Sequence, residues 1–192
     1  MKDTKSYLSK IVQDMPDSGI KDFFDVANTM EGALSLGVGE PDFPTPEHVR
    51  EAAIASIKKG DTKYTDNRGT VELRAAAADY LTKFDLHYDK QDEILITMGA
   101  SEGIDLALRT LVNPGEEVLV AEPSYVSYIP CIELCGGVPV SLKLRAENKF
   151  RLTREQLEEK ITEKSKVLLI SYPNNPTGAI MEKEDLEAIA EV

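Results

Sequence analysis

The chain has little of the material that builds metal centres and histidine-based catalytic triads. Its 192 residues include only two histidines and two cysteines. His48 and His87 are distant in sequence from each other and from both cysteines, which argues against a zinc site or a triad hydrolase. No apolar run approaches the roughly 20 residues that a membrane-spanning helix requires. These absences argue against a zinc enzyme, a triad hydrolase and an integral membrane protein.

Basic residues are also scarce relative to acidic ones. There are 22 lysines and arginines against 34 aspartates and glutamates, which gives a net charge of −12. A chain this acidic repels a phosphate backbone, so we expect no nucleic-acid partner. Residues 1–5 carry mixed charge, and no apolar signal core follows them, so a cytoplasmic location is predicted. Cys131 and Cys135 are four apart in a predicted helix and are expected to be free thiols.

Apolar β-type runs alternate with helical patterns from about residue 94 onward. Strands are predicted to begin near Ile94, Glu117, Val138 and Val167. Helices are predicted between and after them, over residues 99–112, 124–135, 153–161 and 182–192. Three further helices are predicted upstream, over residues 19–31, 46–59 and 70–84. The alternation predicts an α/β sheet that is at least partly parallel.

Three of the predicted strands end in residues suited to ligand contact, and ligands of open α/β sheets collect beyond the carboxyl ends of the strands. After the first comes Gly99-Ala100-Ser101, where a helix start offers free N–H groups and a hydroxyl to an anion. Tyr125 follows the second strand, and its ring is suited to stacking on a flat ligand. A short turn with a serine cap explains the first segment equally well, and Tyr125 alone is compatible with a core or surface position.

The third segment, SYPNNPTG at residues 171–178, contains more conformationally restricted residues than a plain turn needs. Pro173 and Pro176 fix their own φ angles and restrict the residues before them. Asn175 is therefore expected to be held rigidly, with its amide presented to a ligand. The alternative is an Asx-type turn that serves no ligand.

Five segments resemble, in order and spacing, the class I/II aminotransferases, which are pyridoxal-phosphate (PLP) enzymes of fold type I. They are GVGEPDFPTPEHV, KYTDNRGTVELR, TMGASEGIDLALRTLVNPGEEVLVAEPSYVSY, GGVPV and NNPTG. The resemblance implies an α/β/α sandwich, with an incomplete large domain preceded by a small-domain segment. The implied division is an N-terminal arm and small-domain segment at residues 1–45, and the first part of the large PLP-binding domain at residues 46–192.

The resemblance also implies roles for the residues at the strand ends. Gly99, Ala100 and Ser101 match the loop that holds the cofactor phosphate. Tyr125 matches the aromatic residue that stacks on the pyridine ring. Asn175 matches the asparagine that hydrogen-bonds the phenolic oxygen of the ring, which would explain the rigid loop around it.

Two more matches lie outside the alternating region. Gly39 matches a glycine whose backbone lies near the substrate carboxylate. Tyr64 matches a tyrosine that reaches the phosphate in the neighbouring subunit, which implies a homodimer. Each also has a simpler interpretation, as a turn glycine and as an aromatic residue of a loop.

Three residues that the family needs have no match before Val192: the Schiff-base lysine, an aspartate at the pyridine nitrogen and an arginine for the substrate carboxylate. Ser165-Lys166 resembles the family's Ser-Lys pair, but it precedes its predicted strand and is expected at the wrong edge of the sheet. Lys63 lies in a loop of another region. We therefore expect the chain to be an N-terminal portion of an aminotransferase, inactive by itself, whose complete form acts on amino acid and 2-oxo acid substrates.

Other functions fit the same segments. Within the fold, the alternatives are a PLP-dependent carbon–sulfur lyase and an enzyme of the cyclopropane-carboxylate synthase type. Outside enzymes, they are an aminotransferase-like ligand-sensing domain of a transcription regulator and a catalytically dead fragment that binds a partner. The acidic N-terminal region shows no sign of the basic DNA-binding domain that such a regulator carries.

Overall fold

The computed structural model describes residues 4–16, 26, 29–30, 32, 39 and 41–192. The chain divides into two compact units, residues 1–15 with 97–192 and residues 16–96. We call the first the sheet unit and the second the helical unit. The helix predicted over residues 19–31 lies largely outside the described residues, and the predicted domain boundary at residue 45 stays a prediction.

The secondary structure consists of three strands and seven α-helices within the described residues. The strands are β1 (Glu117–Glu122), β2 (Val138–Lys143) and β3 (Ser165–Leu169). The helices are α1 (Lys10–Asp14), α2 (Glu47–Lys59), α3 (Val71–Leu81), α4 (Ala100–Leu111), α5 (Tyr128–Leu134), α6 (Arg154–Lys160) and α7 (Lys183–Ala190). Short 3₁₀ helices cover Thr4–Tyr7, Thr82–Phe84 and Ala146–Asn148. None of these helices is long and apolar enough to cross a membrane.

The sheet unit is built on a parallel sheet with β1 in the centre. The strand order is β2-β1-β3, and both pairings of β1 are parallel. This confirms the predicted parallel α/β arrangement for three of the four predicted strands. Pro139 lies in β2, at an edge of the described sheet, where a residue without a backbone N–H is tolerated.

The two faces of the sheet pack against different helices, because successive side chains of a strand point to opposite faces. Val118 and Val120 of β1 belong to a buried cluster with side chains of α4 and α5. Leu119 and Ala121 belong to a second cluster with side chains of α6 and α7. The sheet unit is therefore an α/β/α sandwich, and β1 is buried from both sides.

The strand predicted at residues 94–97 is absent, and that prediction was wrong. A strand exists only where a neighbouring strand completes its hydrogen-bond ladder, and β1 pairs only with β2 and β3 within the described sheet. The Ile96 N–H instead donates to the carbonyl oxygen of Arg68 at 3.0 Å, within the helical unit. Gly99 thus precedes a helix without following a described strand.

The other predicted elements of the sheet unit shift by a few residues. The helix predicted from Ser124 begins at Tyr128. The prediction that Tyr125 lies early in this helix was therefore wrong, because Tyr125 lies in the loop after β1. Strand β3 begins at Ser165, two residues before the predicted Val167. Cys131, which is buried in α5, and Cys135, which follows α5, are both free thiols.

The helical unit contains α2 and α3, close to their predicted positions. No residue of α2 is buried. Helix α3 is capped by Thr70, whose side chain accepts a hydrogen bond from the Leu73 N–H. Its one buried side chain is Arg74, with none of its surface exposed.

Candidate functional site

The N-terminus of α4 presents unpaired hydrogen-bond donors. Gly99 is the N-cap residue, with a φ of 88° that favours glycine, and a Cβ added there would meet nothing within 4 Å. The first hydrogen bond of the helix runs from the Gly103 N–H to the Gly99 carbonyl. The N–H groups of Ala100, Ser101 and Glu102 have no acceptor among the described residues. These donors and the positive end of the helix dipole favour an anion.

Two side chains hold the turn that precedes α4. The Glu102 carboxylate accepts a hydrogen bond from the Met98 N–H. The Thr97 hydroxyl donates to the Gly99 carbonyl at 2.9 Å. The sequence analysis missed both residues. An acidic residue at the third position of a predicted helix is a known capping signal that would have indicated Glu102.

Tyr125 lies beside this helix start. Its phenol oxygen is 3.3 Å from the Ser101 hydroxyl, and either oxygen is able to act as the donor. This hydrogen bond is the main cause that lowers the pKa of the Tyr125 phenol below its usual value. The ring also packs edge-to-face on Tyr128, with centroids 5.7 Å apart. Tyr125 is thus fixed at two points, and it is only partly buried.

The loop after β3 presents Asn175 to solvent. The peptide bonds before Pro173 and Pro176 are both cis. Asn175 is exposed, and its side-chain amide makes no hydrogen bond within the described part of the chain. This is the arrangement expected for an amide that serves a ligand, although the role itself stays a prediction.

The neighbouring Asn174 is buried, with 5% of its surface exposed. Its Nδ2 donates to the carbonyl oxygen of Pro123 at 3.2 Å. Its Oδ1 accepts from the Thr177 hydroxyl at 2.8 Å and from the Thr177 N–H at 3.1 Å. The sequence analysis did not single out Asn174, because nothing in the doublet NN tells which amide turns inward.

Two hydrogen bonds join the three predicted site segments of the sheet unit. The bond between Ser101 and Tyr125 links the start of α4 to the loop after β1. The bond from Asn174 to Pro123 links the loop after β3 to that same loop. Since β1 and β3 are parallel, both loops leave the sheet at the carboxyl ends of its strands. The segments that contain Gly99, Tyr125 and Asn175 therefore converge, as the sequence predicted.

Gly39 and Tyr64, the other two predicted site residues, belong to the helical unit. A Cβ added at Gly39 would meet nothing within 4 Å. The Tyr64 side chain is fully exposed and makes no hydrogen bond with the described residues. Nothing in the structure contradicts their predicted roles, which stay predictions.

The two lysines considered as replacements for the Schiff-base lysine lie elsewhere. Lys166 is the second residue of β3. Hydrogen bonds from Asn113 are the main cause that lowers the pKa of the Glu116 carboxyl, and the nearby charge of Lys166 lowers it further. Glu116 precedes β1, so Lys166 lies at the amino ends of the strands, whereas Asn175 lies beyond their carboxyl ends. The prediction that Lys166 precedes its strand was wrong, because Lys166 lies inside β3. Lys63 is exposed in the helical unit.

The donor set of the sheet edge fits PLP. Free N–H groups and a hydroxyl at residues 99–102 match a phosphate, a partly buried phenol ring at Tyr125 matches a flat heterocycle, and an exposed neutral amide at Asn175 matches a phenolate oxygen. The described residues contain no group of three or more side chains that would hold a metal ion.

Comparison with known proteins gives one consistent family. The model of aminotransferase class I and II matches residues 31–192. The protein YugH of Bacillus subtilis (strain 168) is 49% identical over 187 residues, which cover 97% of this chain and 48% of YugH. Aromatic-amino-acid aminotransferase 2 of Thermococcus litoralis is 44% identical, and the match covers 96% of this chain and 48% of that protein. The chain thus spans about half the length of these curated relatives.

Solved structures show the same fold. The crystal structure of aspartate aminotransferase from Thermotoga maritima superimposes with a TM-score of 0.90 at 35% identity. The match covers 96% of this chain and 50% of that one. This likeness confirms the predicted fold type I architecture and the resemblance read from the five sequence segments. The chain belongs to the class I and II aminotransferase family.

Proposed function

We propose that the complete protein is a PLP-dependent aminotransferase that moves an amino group from an amino acid to a 2-oxo acid. The convergence of the α4 start, Tyr125 and the Asn175 loop at one edge of the sheet is the observation that supports it most. Family membership supports it independently. Because the chain spans about half of its relatives' length, the proposal concerns the complete protein.

The phosphate of PLP would be held at the start of α4. The N–H groups of Ala100 and Ser101 and the Ser101 hydroxyl are donors for its oxygens, and the helix dipole adds a favourable field. Gly99 leaves the approach open, since it has no side chain. The Glu102 carboxylate accepts a hydrogen bond from the Met98 N–H, which holds it at the turn before the helix.

Tyr125 and Asn175 would contact the ring of the cofactor. The Tyr125 ring offers a stacking surface, and the Asn175 amide donates a neutral hydrogen bond to the phenolate oxygen, which stabilises its ionised form. Bound PLP supplies an electron sink for bond breaking at the substrate α-carbon. This chain's residues would bind the cofactor, orient it and set its proton affinity.

Gly39 and Tyr64 extend the proposal to the substrate and to a second subunit. Gly39 would place its backbone near the substrate carboxylate, and Tyr64 would reach the phosphate bound by the neighbouring subunit of a homodimer. The full exposure of Tyr64 leaves its side chain available for a contact outside the described residues. The division at residue 45 into a small-domain segment and a large PLP-binding domain belongs to the same proposal, as does a cytoplasmic location, which the two free thiols support.

The activity is tested by incubating the complete protein and PLP with a panel of amino acids and 2-oxoglutarate. Mass spectrometry should detect glutamate together with the 2-oxo acid of the amino donor. Release of pyruvate and ammonia from a thioether amino acid, without glutamate, would instead identify a carbon–sulfur lyase and contradict the proposal.

The dimer is tested with Tyr64→Phe and with Tyr88→Phe as a control. Tyr88 is also a partly exposed loop tyrosine of the helical unit. We expect a dimeric mass by light scattering for the wild type and both variants. The dissociation constant of PLP should rise only in Tyr64→Phe. A monomeric wild type that binds PLP normally would contradict this part of the proposal.

A further inference from the structure

We propose that Asn174 is a positioning residue that fixes the Asn175 loop against the Tyr125 loop. Asn174 itself would not touch the cofactor. The inference rests on the proposed function, since it concerns how the two proposed ring contacts keep their mutual placement.

The bond from Asn174 to Pro123 crosses between two segments that are 51 residues apart in sequence. Pro123 begins the loop that contains Tyr125, and Asn174 directly precedes Asn175. The Asn174 side chain therefore connects the segments of both proposed ring contacts. It is the one side chain whose hydrogen bond joins these two loops among the described residues.

Apart from the two bonds between Asn174 Oδ1 and Thr177, the Asn175 loop is closed by contacts that do not involve this side chain. The backbone N–H of Asn174 donates to the Ala179 carbonyl, and its own carbonyl accepts from the Gly178 N–H, both at 2.8 Å. The Tyr172 hydroxyl anchors the start of the loop to the Phe150 carbonyl at 3.1 Å. Removing the Asn174 side chain should leave the loop formed but free to shift relative to Tyr125.

Burial makes the connection costly to lose. Asn174 is 5% exposed, so truncating its side chain removes a buried amide together with its bonds to the Pro123 carbonyl and to Thr177. A buried polar group that loses its partner is unfavourable, and we expect the loops to relieve this by moving apart to admit water. The expected result is displacement of Asn175 from the cofactor oxygen without unfolding.

The test uses the complete protein in four forms: wild type, Asn174→Ala, Asn175→Ala and the double variant. The dissociation constant of PLP and the pKa of the bound cofactor, from a pH titration of its visible absorbance, are measured for each. Thr177→Val is the matched control, because it removes the hydroxyl contact with Asn174 Oδ1 and keeps the bond to Pro123. It is measured alone and combined with Asn175→Ala.

We expect Asn174→Ala to weaken PLP binding about tenfold and to shift the cofactor pKa in the same direction as Asn175→Ala. In the Asn174→Ala background, Asn175→Ala should move the pKa by less than about half of its usual shift, since interacting residues are not additive. In the Thr177→Val background, Asn175→Ala should keep its full effect.

Other results would overturn the inference. If Asn174→Ala lowers only the melting temperature, and Asn175→Ala keeps its full effect on the cofactor pKa, Asn174 is merely structural. If Asn174→Ala fails to fold, the milder Asn174→Ser replaces it, and failure of both variants to fold also contradicts a positioning role. A wild type that does not bind PLP would overturn both the proposed function and this inference. If the wild type binds PLP but Asn174→Ala leaves the cofactor unchanged, only the positioning role of Asn174 is overturned.

Discussion

In the sheet unit, two layers of apolar side chains cover the central strand, so Val118 and Val120 have no exposed surface and Leu119 has 2%. In the helical unit, the only buried residue among those described is Arg74, a cation. Every residue of α2 is exposed, including Ile57 at 68%. Among the described residues, the first unit buries its own apolar surface, whereas the buried contacts of the second are the polar contacts of one arginine.

This difference bears on the site. The sheet unit fixes its proposed cofactor contacts internally, through Ser101, Tyr125 and Asn174. The helical unit leaves Gly39 and Tyr64 open, with no contact that fixes a ligand role. Predictions about the sheet edge therefore rest on observed contacts, whereas those about Gly39 and Tyr64 depend on partners outside the described residues.

Cavity formation should show the largest contrast between the units. Ile132 has no exposed surface, so Ile132→Ala removes fully buried atoms and should lower the free energy of unfolding by about 2–5 kcal/mol. The control Ile57→Ala in exposed α2 should change it by less than about 0.5 kcal/mol. Urea denaturation of the complete protein measures both. Equal losses would show that α2 is buried as deeply as α5 and would remove the contrast.

Loss of Arg74 should be the next largest effect. Its guanidinium donates to the carbonyls of Gly69, Lys90 and Gln91 and so ties together two loops of the helical unit. Arg74→Met leaves these carbonyls without their charged donor and should cost about 1.5–3 kcal/mol of unfolding free energy. Arg50→Met in α2 is the exposed control. Similar melting temperatures for the two variants would mean that Arg74 does not hold the helical unit.

Replacement of Asn175 should alter the bound cofactor rather than the fold. Asn175→Ala removes a donor to the phenolate oxygen, and the proton affinity of the coupled chromophore then rises. The expected increase in its pKa is about 1–2 units. Asn148→Ala, at another exposed asparagine of the sheet unit, serves as the control. An unchanged or lowered pKa in a spectral titration would mean that Asn175 does not face the cofactor.

The smallest expected effect is a pH dependence within the helical unit. Hydrogen bonds from Arg68 lower the pKa of the Asp66 carboxyl from 3.8 to about 2. The stability that this carboxylate contributes is present above the unfolded pKa and is lost as the pH falls from near 4 through about 2. Asp66→Asn should therefore be less stable than wild type at pH 7 and equally stable near pH 2. A difference in stability that persists at pH 2 would mean that ionisation of Asp66 is not its cause.

Much of the fold was predictable because burial leaves a periodic trace in sequence. Glu117–Glu122 and its two partners are apolar β-type runs between helical patterns, and their parallel order follows from the alternation. Residues 94–97 have the same local pattern but form no strand. Pairing depends on which neighbour is present, and local composition contains no information on that.

The convergence of the candidate site segments was predictable, whereas the hydrogen bonds that join them were not. Short motifs marked Gly99, Ser101, Tyr125 and Asn175 as candidates, and their roles stay predictions. Asn174 was missed because it is chemically identical to Asn175, and its role depends on a carbonyl 51 residues away in sequence. Contacts of that kind become visible only when the loops are placed beside each other.

The most direct test of the proposed cofactor site compares two glycines with similar, positive φ angles. Gly99 has φ 88° and Gly115 has φ 86°, and an added Cβ meets nothing within 4 Å at either position. Gly99→Ala and Gly115→Ala both place a Cβ on a backbone whose positive φ favours glycine, but only Gly99 lies at the start of α4. PLP binding to the complete protein is measured by equilibrium dialysis. We predict a dissociation constant raised about 10–100-fold in Gly99→Ala, and unchanged in Gly115→Ala. Equal affinities in the two variants would contradict a phosphate site at residues 99–102.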